Sequence, residues 1–327
     1  MATIAFVGRS DCGGRAKVWC DVINDLTPHR AYNIVYCLGG PQGLRYGQDA
    51  DGRHPDALEI AEQTDIIVAC PGLDHATFGP AMASEAASPP CTYDGPFLPM
   101  YDGRRWCDLG KPIVILLWGS LNLRAHYGAY RYAFGRWPTW CADCDVAVEG
   151  GWPMAPMPNY YPWLQGEWPD LWPLRIVHSA TNRQIKNTDE LIAAVVGRRP
   201  EMLLDIIEHE PLRESLLRKA RAHVNFDHLQ GYFGNSSFEA TYMGLPNIVR
   251  LAKPSYHDAI KRAWQSDTIP PWHLCDTMAD ALLVMQRFLE DRATWEQSAI
   301  AHYRWHREHF KPAEMVERLF LQPGNIT

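Results

Sequence analysis

The sequence contains no apolar run approaching the ~18–20 residues that a membrane-spanning helix needs. It also lacks a basic start followed by an apolar core and a cleavage site. Met-Ala-Thr-Ile-Ala-Phe-Val-Gly8 reads directly into a strand. Both absences lead to the expectation of a soluble, cytoplasmic protein without leader or anchor. Positive charge is in short supply too: 31 Lys and Arg stand against 38 Asp and Glu, a formal net charge of −7. That balance excludes a global basic field for nucleic acid and leaves only a local basic groove open. The nine cysteines are odd in number and scattered, so no disulfide framework is legible and free thiols in a reducing compartment are expected. No internal repeat and no low-complexity tract is found.

What is present is ordinary globular material, 46% hydrophobic and 21% charged, which argues against disorder. At 327 residues the chain accommodates two domains of about 150 residues. The first half alternates short apolar runs with helical stretches: strands are predicted at Thr3–Val7, Asn33–Leu38, Ile66–Ala69, Ile113–Leu117 and Val146–Val148. Runs that are apolar throughout suit parallel strands buried on both faces, with ligands at their C-terminal ends. A loop-rich stretch, roughly 84–111, separates the third and fourth strands. Residues 151–173, rich in Pro and Trp, cannot form a regular helix and read as the interdomain connection.

A second alternation follows. Strands are predicted at Leu174–His178, Leu203–Ile207, Val224–Phe226 and Ile248–Leu251. Helices are predicted at Thr188–Val196, Pro211–Ala222, Ser237–Met243, Met278–Leu289, Ala293–His309 and Pro312–Leu321. In the helix from Pro211, the residues Leu212, Leu216, Leu217 and Ala220 are assigned to one apolar face.

Two segments carry chemistry. The first, His178-Ser-Ala-Thr-Asn-Arg-Gln-Ile-Lys-Asn-Thr188, leaves a strand and enters a helix capped by Asn187 or Thr188. Arg183 and Lys186 stand just before that helix start, where the macrodipole is already positive; a bound diphosphate would turn this unfavourable placement into a clamp. A solvated turn with incidental charges is the plainer alternative. The second, Asp227-His-Leu-Gln-Gly-Tyr-Phe-Gly-Asn-Ser-Ser-Phe-Glu-Ala-Thr-Tyr-Met-Gly-Leu-Pro246, opens a short helix behind a glycine-bracketed loop. Its glycines let backbone amides approach a ligand. Here too a structural alternative exists: Ser236-Ser-Phe-Glu239 has the spacing of a capping box.

Together these segments resemble the donor half of the retaining GT-B glycosyltransferases, the group often called family 4. A bacterial branch carries His-Ser-Pro-Thr-Asn-Arg-x-x-Lys-Gly-Thr and then Gly-x-Tyr-Gly-x-x-x-x-Glu-Ala-Met-x-x-Gly-x-Pro. Residues 178–188 and 231–246 are similar to these and stand in the same order, about fifty residues apart. The likeness is specific over roughly 175–251, weaker over Leu116–Arg124 and Met157–Tyr160, and confined to the strand–loop pattern over 1–110.

The resemblance implies an α/β chain of two Rossmann-like doubly wound domains facing a cleft. The acceptor-side domain would span 1–165 and the donor domain 166–300, with C-terminal helices over 301–327 crossing back to the first. It implies that Arg183 and Lys186 neutralise the donor diphosphate. Thr181, Asn182, Gly234, Asn235 and Ser236 would join the donor contacts, and Glu239 would hold the ribose hydroxyls. Many members have a sugar-contacting glutamate eight residues before the one matching Glu239; here that position is Gly231. Retaining members react on one face of the sugar, so the nucleotide sugar is a co-substrate, and neither cofactor nor metal is implied.

On the acceptor side, Ser120 and Arg124 fall in an element that matches the family. Asp11, Gly13 and Gly14 lie in the loop after the first strand, which lacks the Gly-x-Gly-x-x-Gly order of a dinucleotide fingerprint. Asp49-Ala-Asp51 has the form of a metal-binding pair but lies in a polar loop, and Cys141-Ala-Asp-Cys144 has zinc-ligand spacing without a second pair. Tyr127–Trp140 interleaves aromatics with Arg131 and Arg136. That composition suits sugar rings or extruded bases, or equally a packed amphipathic helix. The acceptor stays open, with a modified base in DNA among the options, and so does the oligomeric state. The expected function is transfer of a sugar from a nucleotide diphosphate to a hydroxyl. The alternatives are a non-catalytic nucleotide-sugar-binding protein and a GT-B-like nucleotide-sugar epimerase.

Overall fold

The structure is a computed structural model. It describes residues 1–8, 15–36, 49–71, 95–118, 127–164, 169–170, 173–180, 183, 185–198, 200–208 and 210–322. These divide into two compact units, Met1–Pro158 with Lys311–Thr327 and Asn159–Phe310.

The first unit is built on six parallel strands: β1 (Thr3–Gly8), β2 (Arg30–Val35), β3 (Ala50–Asp51), β4 (Ile66–Ala69), β5 (Ile113–Leu117) and β6 (Thr139–Cys141). Their spatial order is β3-β2-β1-β4-β5-β6, and every pairing is parallel. This is the doubly wound order whose direction reverses between β1 and β4. β4 and β5 are buried along their whole length, as the unbroken apolar runs predict. The helices are α1 (Arg15–Leu26), α2 (Pro55–Gln63), α3 (Tyr127–Phe134) and α4 (Cys144–Gly150). From the chain's other end, α11 (Pro312–Val316) continues into a π-helical turn, Glu317–Leu321. That turn sets Phe320 edge-on to Phe6 of β1 at 5.4 Å and to Trp19 of α1 at 5.2 Å.

One strand assignment is corrected here. Val146–Val148 lies inside α4, and the sixth strand is Thr139–Cys141 instead. A three-residue apolar run, Val-Ala-Val, is too short to separate strand from buried helix, and Gly151, left-handed at φ 65°, closes α4 as a helix C-terminus does.

The second unit holds β7 (Leu174–Ser179), β8 (Met202–Ile207), β9 (Val224–Phe226), β10 (Asn247–Val249) and β11 (His273–Leu274), in the order β11-β10-β9-β7-β8 and again all parallel. Its helices are α5 (Thr188–Val196), α6 (Leu212–Lys219), α7 (Asn235–Met243), α8 (Pro254–Trp264), α9 (Met278–Glu290) and α10 (Arg292–His309). Both faces of this sheet are covered: Leu174, Ile176, Val224, Phe226 and Ile248 pack with Phe288 and Trp295, and Val177 and Ile207 pack with Ala240 and Leu245. The strand order reverses at β7, whose neighbours are β8 on one side and β9 on the other. Ligands of doubly wound sheets bind at the carboxyl ends of the strands flanking such a switch point.

Candidate functional site

The two chemically marked segments leave the sheet from adjacent strands, β7 and β9, at this switch point. Several buried side chains then lock one loop to the other. His178, at the end of β7, is fully buried, and its Nδ1 lies 2.8 Å from the Phe226 carbonyl of β9. A carbonyl only accepts, so Nδ1 carries the proton and Nε2 accepts from the Thr188 hydroxyl at 2.8 Å. Burial pushes the imidazole down to about 4, which keeps it neutral and preserves this tautomer. Asn187 caps α5 in the left-handed region at φ 55°, and its Oδ1 accepts the Leu229 N–H at 2.9 Å. Asparagine is among the few side chains that tolerate that backbone.

Asp227 follows β9 and is wholly buried. Its carboxylate accepts from the Gly234 amide at 2.5 Å, from the Ser237 hydroxyl at 2.7 Å and from the Lys186 ammonium. Burial alone would raise its pKa; Lys186, His228 and Ser237 outweigh that and hold the group below the usual carboxylate range. The Lys186 side chain is 13% exposed. A Cβ on Gly234 would come within 2.6 Å of Lys186 Nζ and about 3 Å of both Asp227 oxygens, so glycine at this position makes room for the ion pair.

A second buried pair lies along the first turns of α7. Lys219, the last residue of α6, is 1% exposed, and its Nζ donates to Ser236 Oγ at 2.9 Å and to the Glu239 carboxylate. The other Glu239 oxygen accepts from Asn235 Nδ2 at 2.7 Å. The two pairs are joined through neutral groups. Ser236 donates to Asn225, Asn225 to Asn247, Asn247 to Ser237, and Ser237 to Asp227, at 3.0, 2.6, 3.0 and 2.7 Å. In a low-dielectric interior such a network is stabilising only when every member has its partner, as these members do.

The structure therefore brings Lys186, Gly234, Asn235, Ser236 and Glu239 together. Arg183 stands apart from that network, at the edge of β8: its Nε and Nη2 donate to Glu208 at 2.7 and 2.9 Å in an exposed bidentate pair. The capping-box alternative for Glu239 is not what forms. Helix α7 begins at Asn235 with Gly234 as its N-cap, so Ser236 lies within the first turn and Glu239 reaches Lys219 instead. Thr181, Asn182, Asp11, Gly13, Gly14, Ser120 and Arg124 lie outside the described residues.

Lys219 is the residue that sequence reading missed. On α6 Leu216 and Lys219 are buried in line with the half-buried Leu212, at i, i+4 and i+7, whereas Leu217, assigned to the apolar face, is exposed. A lysine on the apolar stripe of a short helix signals a buried cation with a partner. The departure at Gly231 also has a local cause. This glycine has φ 96°, and a Cβ there would lie 2.7 Å from that of Ala252, whose N–H bonds the Gly231 carbonyl at 2.8 Å. A glutamate at that position meets both strain and a clash.

The discounted signals have local partners. Asp49 accepts the Asn33 amide and Asp51 pairs with Arg53, and no cluster of three or more potential metal ligands occurs among the described residues. In the aromatic–arginine segment, Tyr130, Phe134 and Trp140 are buried. Arg131 donates from Nε to the Gly150 carbonyl at 2.6 Å, and Arg136 lies 4.0 Å over Trp137. Tyr127 and Trp137 are half-buried, and Arg131 and Arg136 are exposed. No helix among the described residues is long and apolar enough to cross a membrane.

No protein-family model matches the chain, and no curated protein sequence matches it. Solved structures do. The Anabaena protein HepE, determined with UDP-glucose, aligns over 98% of this chain and 98% of its own, with 10% identity and a TM-score of 0.56. An α-glucosyltransferase determined with UDP and a 13-mer DNA aligns over 94% and 96%, with 11% identity and a TM-score of 0.53. A Thermobaculum terrenum O-GlcNAc transferase mutant aligns over 97% of this chain and 66% of its own, at 12% identity and a TM-score of 0.48. The structural neighbours are GT-B glycosyltransferases, and the fold of this chain, two Rossmann-like α/β domains, is of that class.

Proposed function

We propose that the chain is a glycosyltransferase that moves a sugar from a nucleoside diphosphate to a hydroxyl acceptor, with its donor site at the β7–β9 switch point. One observation carries the reading: the loops leaving β7 and β9 are locked together there, and the Lys186–Asp227 and Lys219–Glu239 pairs stand at the two ends of one hydrogen-bond chain along the start of α7. Lys186 and the α7 amides stabilise charge on the departing diphosphate, Arg183 adds a second cation from the rim, and Glu239 accepts the ribose hydroxyls. Reaction on one face of the sugar, with retention, follows from the family resemblance and needs neither a protein nucleophile nor a metal. Uridine is the first nucleotide to try, because HepE was determined with UDP-glucose and the DNA-bound α-glucosyltransferase with UDP. The second of these makes a base in DNA one acceptor class to include. The aromatic–arginine segment buries Tyr130, Phe134 and Trp140 and leaves Arg131 and Arg136 exposed, which does not single out that class.

A nucleotide-sugar-binding protein without transfer is the competing reading, and Gly231 favours it, because the loop excludes a carboxylate where the sugar would lie. A mass-spectrometric transfer assay separates the two. It pairs UDP-, GDP-, ADP- and dTDP-sugars with hydroxymethylated DNA, simple glycosides and lipid-linked sugars. A gain of one sugar on an acceptor, weakened in the stably folded Arg183→Ala, supports the transferase. Donor binding without transfer across the panel favours the binding protein, and absence of any nucleotide binding sinks both.

A further inference from the structure

Of the tryptophans among the described residues, Trp163 alone is exposed, with 40% of its surface open to solvent. Leaving so large a ring open forgoes burial that the other indoles obtain. The ring is nevertheless held on a fixed mount. Tyr161-Pro162-Trp163-Leu164 is a β-turn, closed by the Leu164 N–H on the Tyr161 carbonyl at 2.9 Å, with proline at the second position, where its locked φ is the one the turn uses. Tyr161 anchors that turn in the second unit. It is buried, its amide donates to the Tyr242 hydroxyl at 3.1 Å, its own hydroxyl donates to Asn159 Oδ1 at 3.2 Å, and its ring stands edge-on to Tyr242 at 5.3 Å.

Arg213 of α6 lies over the same indole, with Cζ 5.1 Å from the ring centroid. It is exposed, and among the described residues no carboxylate or hydrogen-bond acceptor engages it. Arg218 on the same helix behaves otherwise, being held by Asp205 and Glu210. Contact with a ring face draws on the charge of a guanidinium and leaves its five N–H donors unspent. Arg213 also sits in the first turn of α6, where the helix dipole makes a cation unfavourable until an acceptor faces it. The loop from the carboxyl end of β8 into α6 carries Glu208, the partner of Arg183. That first turn therefore belongs to the ligand-binding edge of the sheet.

We infer that Trp163 and Arg213 receive the base of the donor nucleotide: the base stacks on the open indole, and Arg213 donates to a ring carbonyl of the base. The inference rests on the donor reading above and adds a specificity to it. Stacking alone tolerates any base, because every base has a π face. The guanidinium discriminates, since uracil, thymine and guanine carry a carbonyl oxygen and adenine carries none. A uridine diphosphate is thus preferred to an adenosine diphosphate.

The test is calorimetric binding of UDP, dTDP, GDP and ADP to wild type, Trp163→Ala, Trp163→Phe and Arg213→Gln, with inorganic pyrophosphate read as a competitor and a thymidine oligonucleotide as a second source of the same base. Both side chains are exposed, so thermal unfolding is expected to stay that of the wild type. Trp163→Ala is expected to weaken UDP binding roughly fivefold to a hundredfold and to leave pyrophosphate unchanged, while Trp163→Phe keeps much of the affinity. Arg213→Gln is expected to narrow the preference for UDP over ADP. Wild-type UDP affinity in Trp163→Ala overturns this inference and leaves the donor reading standing. So does an equal loss of UDP and pyrophosphate, which would mark a structural role for the indole. An unchanged UDP-to-ADP ratio in Arg213→Gln removes Arg213 from base recognition. Loss of the oligonucleotide with UDP binding intact places a nucleic-acid base on Trp163 and overturns the assignment to the donor. Failure of the wild type to bind any of the four nucleotides overturns the donor reading, and the inference with it.

Discussion

Arg183 and Lys186 stand three residues apart and end in opposite surroundings. Arg183 is 48% exposed and clasps Glu208 on the surface; Lys186 is 13% exposed and rests on a carboxylate that solvent does not reach. An exposed pair is weakened by screening and by the entropy of ordering two long side chains, so it exchanges one anion for another easily. A buried pair is different: neither member can be left alone without stranding a charge in a low dielectric. The two cations of one motif thus do two kinds of work. Arg183 holds an exposed pair that either member can leave at little cost, while Lys186 is part of the frame that holds the β9–α7 loop shut.

Acid breaks the buried side of this comparison on the largest scale. His178, His273, His302 and His306 are held by burial to about 4, 4, 3 and 3. Unfolded histidine titrates near 6.5, so on falling pH the unfolded chain takes up protons first. The folded state keeps its full stability above about pH 6.5. It then loses roughly 1.4 kcal/mol per pH unit for each histidine that stays neutral, down to that ring's folded value. Asp227 acts lower still: its depressed folded pKa contributes stability that is present above about 3.9 and lost below it. Denaturant midpoints are expected to drop steeply between about pH 7 and about pH 5. Equal midpoints at those two values would contradict the buried, neutral assignment of these rings.

Lys186→Met comes next in size. It leaves the buried Asp227 without its cation and is expected to destabilise the second unit by about 3–5 kcal/mol. Asp227→Asn on the same background removes the stranded charge and restores most of the loss, since exchanging a whole buried pair is close to neutral. Urea titration of the two variants reads the difference. If the single variant is no less stable than the wild type, Lys186 is an ordinary surface lysine and the contrast with Arg183 disappears.

How much of this the sequence disclosed depends on the range over which the cause acts. Strands β4 and β5 announce themselves as unbroken apolar runs because both of their faces are buried. The Val146–Val148 misreading comes from three residues that fit either a strand or a buried helix turn. At the site, Lys186, Gly234 and Glu239 are legible because they fall within short motifs. Their partners are not: Asp227 meets Lys186 across 41 residues and Lys219 meets Glu239 across 20, through sheet order and helix packing that local pattern does not encode. The one local hint was Lys219 in line with Leu212 and Leu216, where an apolar residue was due. Gly231 likewise looked like a missing functional group, and the structure adds a backbone reason for its being glycine.

The smallest expected change in stability belongs to Arg183→Ala, and for that reason it isolates ligand binding from folding. Its pair with Glu208 is solvent-exposed, so thermal unfolding should be that of the wild type. A diphosphate offers the guanidinium two charge-assisted contacts in place of one carboxylate, so removing it should weaken UDP binding by about tenfold. Glu208→Gln tests the same exchange from the other side: left with only the more distant Asp189 carboxylate, at 3.7 Å, Arg183 keeps its charge and gains availability, and UDP binding should hold or tighten. The pair of variants then decides what Arg183 is for. Weaker binding in Arg183→Ala with equal or tighter binding in Glu208→Gln identifies a rim cation waiting for phosphate. Unchanged affinity in both makes the Arg183–Glu208 pair ordinary surface and leaves Lys186 and the start of α7 to hold the diphosphate alone.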